Sequence, residues 1–235
     1  MLRVLICAIL MMANLSWSMP ITARSWVVAK EDGSLITGEN TNQVRPIASI
    51  TKLMTVMIIL DAKQDLNETI KPYTRKQLIQ LAIVNSNNAA TETLCRKYPG
   101  GYKQCISDMN KKAQSLGLNN TKFRDATGLN RKNVSTAEEL IKIVQEAHKY
   151  DEIKEASKIN VLELKPNKRW IKFKNTNPEA GKNQDIIVSK TGFTNPAGGC
   201  IVMMMNTEIG RRIVVVLGSK NTHTRIPEAE YLIKI

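Results

Sequence analysis

A chain of 235 residues is long enough to bury a full hydrophobic core, and its length suits one catalytic domain better than two. Hydrophobic residues make up 43% and charged residues 23%, a globular balance that excludes a disordered chain and a multi-span membrane protein. The formal net charge of +13 favours acidic surfaces, but Lys and Arg are scattered among acids without a basic run or interleaved aromatics, so nucleic acid is not the expected partner.

Arg3, the apolar stretch from Val4 to Leu15 and the small residues of Ser16-Trp17-Ser18 read as a secretory signal peptide, residues 1–18, cut after Ser18. The alternative is an uncleaved anchor. No later apolar segment approaches the ~20 residues that spanning requires. The expected mature protein, residues 19–235, is a single exported domain with no stable membrane span, and an anionic cell wall suits its charge.

Trp26 to Ala29, a turn at Glu31-Asp32-Gly33-Ser34, and Leu35 to Gly38 read as an antiparallel hairpin. After Pro46, the stretch from Ser49 to Leu60 is apolar except at Ser49, Thr51, Lys52 and Thr55, which predicts a helix buried on most sides. Polar residues at the start of such a helix are costly unless they have a use. Helical periodicity from Thr74 to Val84 is interrupted by Asn85 to Asn88 and resumes from Ala89 to Arg96, placing Ser86 and Asn88 on an interhelical loop. A further helix spans about Lys103 to Leu116 and stops at Gly117, and Ser135 with Glu138 forms a capping box opening a helix to about Lys149.

Cys95 and Cys105 flank Pro99-Gly100-Gly101 in a chain bound for an oxidising compartment and are read as a disulfide, two free buried thiols being the alternative. Cys200 is left over. In the last third, Ile186 to Val188, Cys200 to Met205 and Arg212 to Leu217 are short apolar strands of an antiparallel meander. Strands at both ends with helices between them predict an α/β chain, layered as α+β, with one antiparallel sheet built from the two termini and covered by a central helical cluster.

Three short signatures occur in order: Ser49-Ile50-Thr51-Lys52, Ser86-Asn87-Asn88 and Lys190-Thr191-Gly192. Singly they are weak, since a Ser-x-x-Lys arises by chance roughly once in a chain this long and Lys-Thr-Gly in ~5% of such chains. Their contexts carry more: the start of a buried helix, an interhelical loop and the end of an apolar strand. On a helix, positions i and i+3 share a face, so Lys52 can reach the Ser49 hydroxyl and serve as its base if burial keeps it neutral.

Together the three resemble the motifs of penicillin-binding proteins and serine β-lactamases. The resemblance implies a β-lactamase/transpeptidase-like fold, with Ser49 as nucleophile, Lys52 as base, Ser86 as proton relay to the leaving amine and Asn88 positioning Lys52 and the substrate. It implies that Lys190 places a cation beside the substrate carboxylate, Thr191 adds a hydroxyl, and Gly192 lets the substrate backbone come close. The N–H groups of Ser49 and Phe193 become the oxyanion donors, with Thr194 a second-rank carboxylate ligand. The implied partners are peptidoglycan peptide stems and cross-links, with β-lactams as covalent inhibitors, in the periplasmic or cell-wall space.

Within that family, 43 residues follow Gly192, enough to finish the sheet and a short closing helix, so the chain looks like the D-alanyl-D-alanine endopeptidase branch. The alternatives are a D-alanyl-D-alanine carboxypeptidase, a class A-like β-lactamase and a non-catalytic β-lactam- or wall-binding protein. Glu155, Glu163 and Glu179 lie where a class A enzyme keeps its deacylating glutamate, but none sits in that family's Glu-x-x-Leu-Asn pattern. His148 and His223 are expected to be structural or solvated, and Asp125 to Leu129 to shape the fold. No Cys or His cluster has metal spacing, so neither metal nor cofactor is expected.

Overall fold

The computed structural model describes residues 19–235; the predicted signal peptide, residues 1–18, lies outside them. The chain opens with strands β1 (Ser25–Lys30) and β2 (Leu35–Glu39), then the two-residue β3 (Arg45–Pro46), a 3-10 turn at Ala48–Ile50 and helix α1 (Thr51–Asp61). The short pair β4 (Thr69–Ile70) and β5 (Tyr73–Thr74) leads into α2 (Arg75–Val84), α3 (Asn88–Arg96) and α4 (Gly101–Ser115). After β6 (Val134–Ser135) come α5 (Ala137–Ala147), α6 (Asp151–Lys158) and a hairpin of β7 (Val161–Leu164) with β8 (Ile171–Lys174). Three longer strands, β9 (Ile186–Thr194), β10 (Gly198–Met205) and β11 (Arg212–Ser219), precede α7 (Arg225–Leu232).

The main sheet has the order β2-β1-β11-β10-β9. Pairing of Ser25 with Leu217 and of Lys30 with Arg212 joins the beginning of the domain to its end, as the apolar patterning at both ends predicts. Alternation sorts these strands into two faces. Val27, Ala29, Val188, Val202, Val215 and Leu217 face the helical core, while Val28, Ile201, Met203, Val214 and Val216 face α7 through Ile226, Ala229 and Leu232. Among the described residues the result is three layers, with α7 the one helix on the outer face.

Helix α1 runs through the core with every residue from Thr51 to Ile59 buried, which is why its sequence lacks a polar stripe. Its start, the loop before α3 and the end of β9 are thereby brought together. Several boundaries differ from the sequence reading. Ser49 lies in the 3-10 turn rather than in the helix, and Asn88 is the first residue of α3, capped by Asn87. The cap of α5 is Thr136, whose hydroxyl accepts from Glu139 N–H, one residue beyond the expected Ser135 and Glu138. Ser135 is committed elsewhere: its backbone pairs with Arg45 and its hydroxyl bonds Thr121.

Cys95 and Cys105 are joined by a disulfide tying α3 to α4, and Cys200 is a buried free thiol. Among the described residues no helix is long and apolar enough to cross a membrane.

Candidate active site

Ser49 is presented by a tight turn forced by what surrounds it. Ala48 adopts a left-handed backbone at φ 46°, a conformation that costs an alanine about 1–2 kcal/mol. The turn is pressed against β9: a Cβ at Gly192 would lie 2.9 Å from Ser49 N, 3.1 Å from Ala48 Cβ and 3.1 Å from Ile47 O. The absent side chain at Gly192 therefore makes room for the turn that carries Ser49, a packing reason beside the substrate approach expected of it.

The Lys52 side chain is fully buried, and its Nζ lies 2.9 Å from Ser49 Oγ, 2.8 Å from Asn88 Oδ1 and 2.7 Å from the Thr127 carbonyl oxygen. Burial lowers its pKa from 10.5 to about 7, with the Asp125 carboxylate pulling weakly the other way. Two of its three partners, the Asn88 and Thr127 oxygens, can only accept. Once Lys52 is neutral it keeps two donors for those oxygens, and its lone pair is left facing Ser49, the one partner able to donate. Ser49 is thus the one hydrogen-bonding partner of Lys52 Nζ that has a proton to give.

Across the groove, Lys190 is 1% exposed and donates to Ser86 Oγ at 2.9 Å and to the Thr191 carbonyl at 2.8 Å. Its pKa is driven well down, by burial first and then by the charges of Lys52 and Arg225. Ser86, like Ala48, has a left-handed backbone, φ 56°, which turns its hydroxyl toward Lys190 rather than continuing α2. Each lysine thus holds one serine hydroxyl, with Ser49 on one side and Ser86 on the other.

The remaining predicted residues lie along the end of β9. Thr191 is buried and its hydroxyl donates to Thr176 Oγ1 at 2.7 Å. Thr194 Oγ1 accepts from Ala197 N–H in the turn to β10, and the Phe193 side chain is 43% exposed at the groove's edge. The histidines are elsewhere: His148 Nε2 accepts from Arg211, and His223 sits in the exposed loop before α7.

The sequence reading gave Asp125 and Thr127 only as part of a turn that shapes the fold, and it missed Asn133 and Arg225. Thr127 acts through its backbone, for which no residue type signals. Asp125 gathers the N–H groups of Thr127, Gly128 and Asn130 and so fixes the turn that offers that carbonyl; an Asp opening a turn of this kind is a readable signal of shape. Asn133 ties the same turn to α1 by donating to Asp125 O and Thr51 Oγ1. Arg225, on α7, donates to Gly192 O at 2.7 Å across 33 residues of sequence, and nothing local marks it.

A family model described as D-alanyl-D-alanine carboxypeptidase matches residues 13–71 and 66–221. The chain is 36% identical over 222 residues to the D-alanyl-D-alanine endopeptidase of Escherichia coli strain K12, covering 84% of this chain and 72% of that protein. To the D-alanyl-D-alanine endopeptidase of Pseudomonas aeruginosa it is 34% identical over 232 residues, covering 88% and 74%. Among solved structures, penicillin-binding protein D2 of Listeria monocytogenes in its ampicillin-bound form superposes with a TM-score of 0.81 at 25% identity, covering 92% of this chain and 97% of that one. The Streptomyces K15 DD-transpeptidase superposes with a TM-score of 0.82 at 24% identity, over 92% and 97%, and shares the fold.

Proposed function

Because the chain belongs to the D-alanyl-D-alanine carboxypeptidase family, we propose that it is a wall-space endopeptidase that cuts D-alanyl cross-links of peptidoglycan through an acyl-enzyme on Ser49. That it is a serine hydrolase of D-alanyl bonds, a low-molecular-mass penicillin-binding protein, follows from membership. The endopeptidase preference is supported by the endopeptidase names of relatives at 36% and 34% identity. The single observation behind the site assignment is the buried Lys52 amine, 2.9 Å from Ser49 Oγ, with its other two partners unable to donate.

In this reading neutral Lys52 takes the Ser49 proton as Oγ attacks the carbonyl carbon of the D-alanyl bond. The N–H groups of Ser49 and Phe193 hold the developing oxyanion, an interaction worth several kcal/mol in the transition state. Ser86 passes a proton to the leaving amine, with Lys190 behind it, and the C–N bond breaks to leave an ester on Ser49. Lys190, Thr191 and Thr194 face the carboxylate beside the scissile bond, Gly192 keeps β9 close to the nucleophile turn, and Asn88 holds Lys52. Water then hydrolyses the ester.

A β-lactamase would need an acid or base for rapid deacylation. The three glutamates of the relevant stretch are placed otherwise: Glu155 is exposed on α6, Glu163 pairs with Lys172 on the β7–β8 hairpin, and Glu179 pairs with Lys182. Penicillin is accordingly a slow-released covalent inhibitor. The leader, residues 1–18, directs residues 19–235 to the wall space as one domain, and mass spectrometry of exported protein should find an N-terminus near Met19.

Labelled penicillin followed by peptide mapping should mark the tryptic fragment containing Ser49 and leave Ser49→Ala unlabelled. Dimeric muropeptide should yield monomers. Release of D-alanine alone would make the protein a carboxypeptidase, and rapid penicillin turnover without muropeptide cleavage a β-lactamase.

A further inference from the structure

At the end of the sheet beyond the β9–β10 turn lies a separate cavity of about 430 Å³ lined by Arg24, Arg45, Lys220, Asn195 and the glycines Gly198 and Gly218. No carboxylate lines it. Among the described residues, none of the ion pairs includes Arg24, Arg45 or Lys220. Three cations thus converge on one hollow with no carboxylate in its lining, an arrangement whose mutual repulsion is relieved by an anion.

Arg45 is the built part of this hollow. It is only 9% exposed, and burial followed by the charge of Arg24 lowers its pKa. Its Nη1 donates to Gln43 Oε1 at 3.1 Å, while its Nε is buried and has no partner among the described residues. An unsatisfied buried donor costs about 1–3 kcal/mol, more when charged. Arg45 Nη2, without a protein partner among the described residues and not sealed from solvent as Nε is, lies beside Gly218 and is the guanidinium edge open to a planar or tetrahedral oxyanion.

The floor is kept open by two glycines. Gly218 has φ 74°, and a Cβ there would stand 2.8 Å from Arg45 Nη2; one on Gly198 would stand 2.9 Å from Ser219 O. The nearest acid, Glu228, is fully buried beneath, its oxygens taken by Thr22 N–H at 2.7 Å, Thr22 Oγ1 at 2.6 Å and Ser219 Oγ. Those three donors occupy its oxygens, so it offers the hollow no ligand, and its charge, one wall away, offsets only part of that of the three cations.

We propose that this cavity is an oxyanion-binding site, separate from the Ser49 groove, that takes a carboxylate or phosphate group of a cell-wall polymer. The polymer's identity rests on the proposed function; the oxyanion chemistry does not. Arg45 stands four residues before Ser49, and its backbone begins the segment that carries the nucleophile turn, so a polymer held here lies along one side of that segment. Arg24 and Lys220, both exposed at the rim, supply the long-range attraction, and Arg45 the directed contact.

The test is titration of the mature protein with inorganic phosphate at constant ionic strength, followed by calorimetry. Saturable one-to-one binding with a dissociation constant below about 1 mM is expected. It should weaken about tenfold or more in the Arg24→Gln, Lys220→Gln double variant, the loss of one or two charge-assisted contacts, while penicillin acylation stays within about twofold of the parent. Arg45→Lys, which keeps the charge but loses the fork, should also weaken binding; should that buried change prevent folding, the surface double variant decides.

Competition names the source. Displacement of phosphate by a stem peptide with free carboxylates, or by poly(glycerol phosphate), places the site on that polymer. Displacement by neither, undiminished phosphate binding in the double variant, or no saturation would overturn the assignment. Failure of Ser49 labelling with phosphate binding intact would remove the proposed function and leave the oxyanion site standing.

Discussion

The rate at which penicillin acylates Ser49 should rise with pH through about 7 and then level. Burial lowers the Lys52 pKa to about 7, so the amine is protonated below that value, where its lone pair is unavailable, and neutral above it. At pH 7 about half of the molecules hold a free base, against about one in three thousand for a lysine at its ordinary 10.5. Burial therefore supplies on the order of a thousandfold in available base. Lys52→Arg removes that supply because a guanidinium stays charged at any working pH; acylation should fall by about a thousandfold or more and lose its ascending limb. Stopped-flow acylation with a fluorescent penicillin between pH 5 and 9, on parent and variant with matched circular dichroism, gives both quantities. A flat parent profile across that range, or a Lys52→Arg rate within about tenfold of the parent, would refute Lys52 as the base.

The same burial works against folding. A lysine whose folded pKa lies below its unfolded value makes the protein least stable below about 7, and stability returns as pH climbs toward 10.5. Lys52→Met should therefore raise the urea midpoint at pH 6 and lose that advantage by pH 10, although it abolishes acylation; a variant less stable than the parent at pH 6 would contradict this. Gly192→Ala should slow acylation about a hundredfold or more with the fold retained, because the added Cβ meets backbone at 2.9 Å and 3.1 Å; parent-like acylation would show that the turn can yield. Replacing Cys95 and Cys105 by Ser should cost about 3 kcal/mol in urea unfolding, from a linked separation of 10 residues, and leave acylation at 25 °C unchanged. A loss under about 1 kcal/mol would show the disulfide to be dispensable.

The parts of the site that were readable in sequence are those set by short-range geometry. Lys52 reaches Ser49 because three residues separate them across one turn, and Ser86 with Asn88 follows from an interruption between two periodic runs. The sheet was readable because both of its faces are covered, which gives β9 at Ile186 to Val188, β10 at Cys200 to Met205 and β11 at Ile213 to Leu217 continuous apolar runs. Other features were hidden for stated reasons. The Thr127 carbonyl is a backbone atom, and Arg225 meets Gly192 O only because α7 folds back across the sheet. Thr191 turns to Thr176, a residue in a loop with no motif of its own. The cap of α5 moved by one residue because Ser135 is held by Arg45 and Thr121, so tertiary pairing overrode a good local signal. The β7–β8 hairpin is different: Val161-Leu162-Glu163-Leu164 alternates, with Leu162 and Leu164 buried, and the pattern was open to view.

Two buried lysines in one groove pose an electrostatic problem whose answer separates their tasks. Burial is the main cause lowering both amines; the charges of Lys52 and Arg225 add to it at Lys190, whereas Asp125 opposes it at Lys52. An anion entering beside Lys190 reverses its part of that balance: the substrate carboxylate favours the charged form, so Lys190 regains its proton as the substrate binds. Lys52 has no such partner, since its three hydrogen-bonding positions are filled by Ser49, Asn88 and Thr127, and a newly charged Lys190 across the groove pushes its pKa lower still. In the proposed mechanism substrate binding thus drives the pair toward one cation and one base, with the cation on the carboxylate side and the base on Ser49. Environments that force two titratable groups apart in this way assign acid and base roles without any difference in residue type.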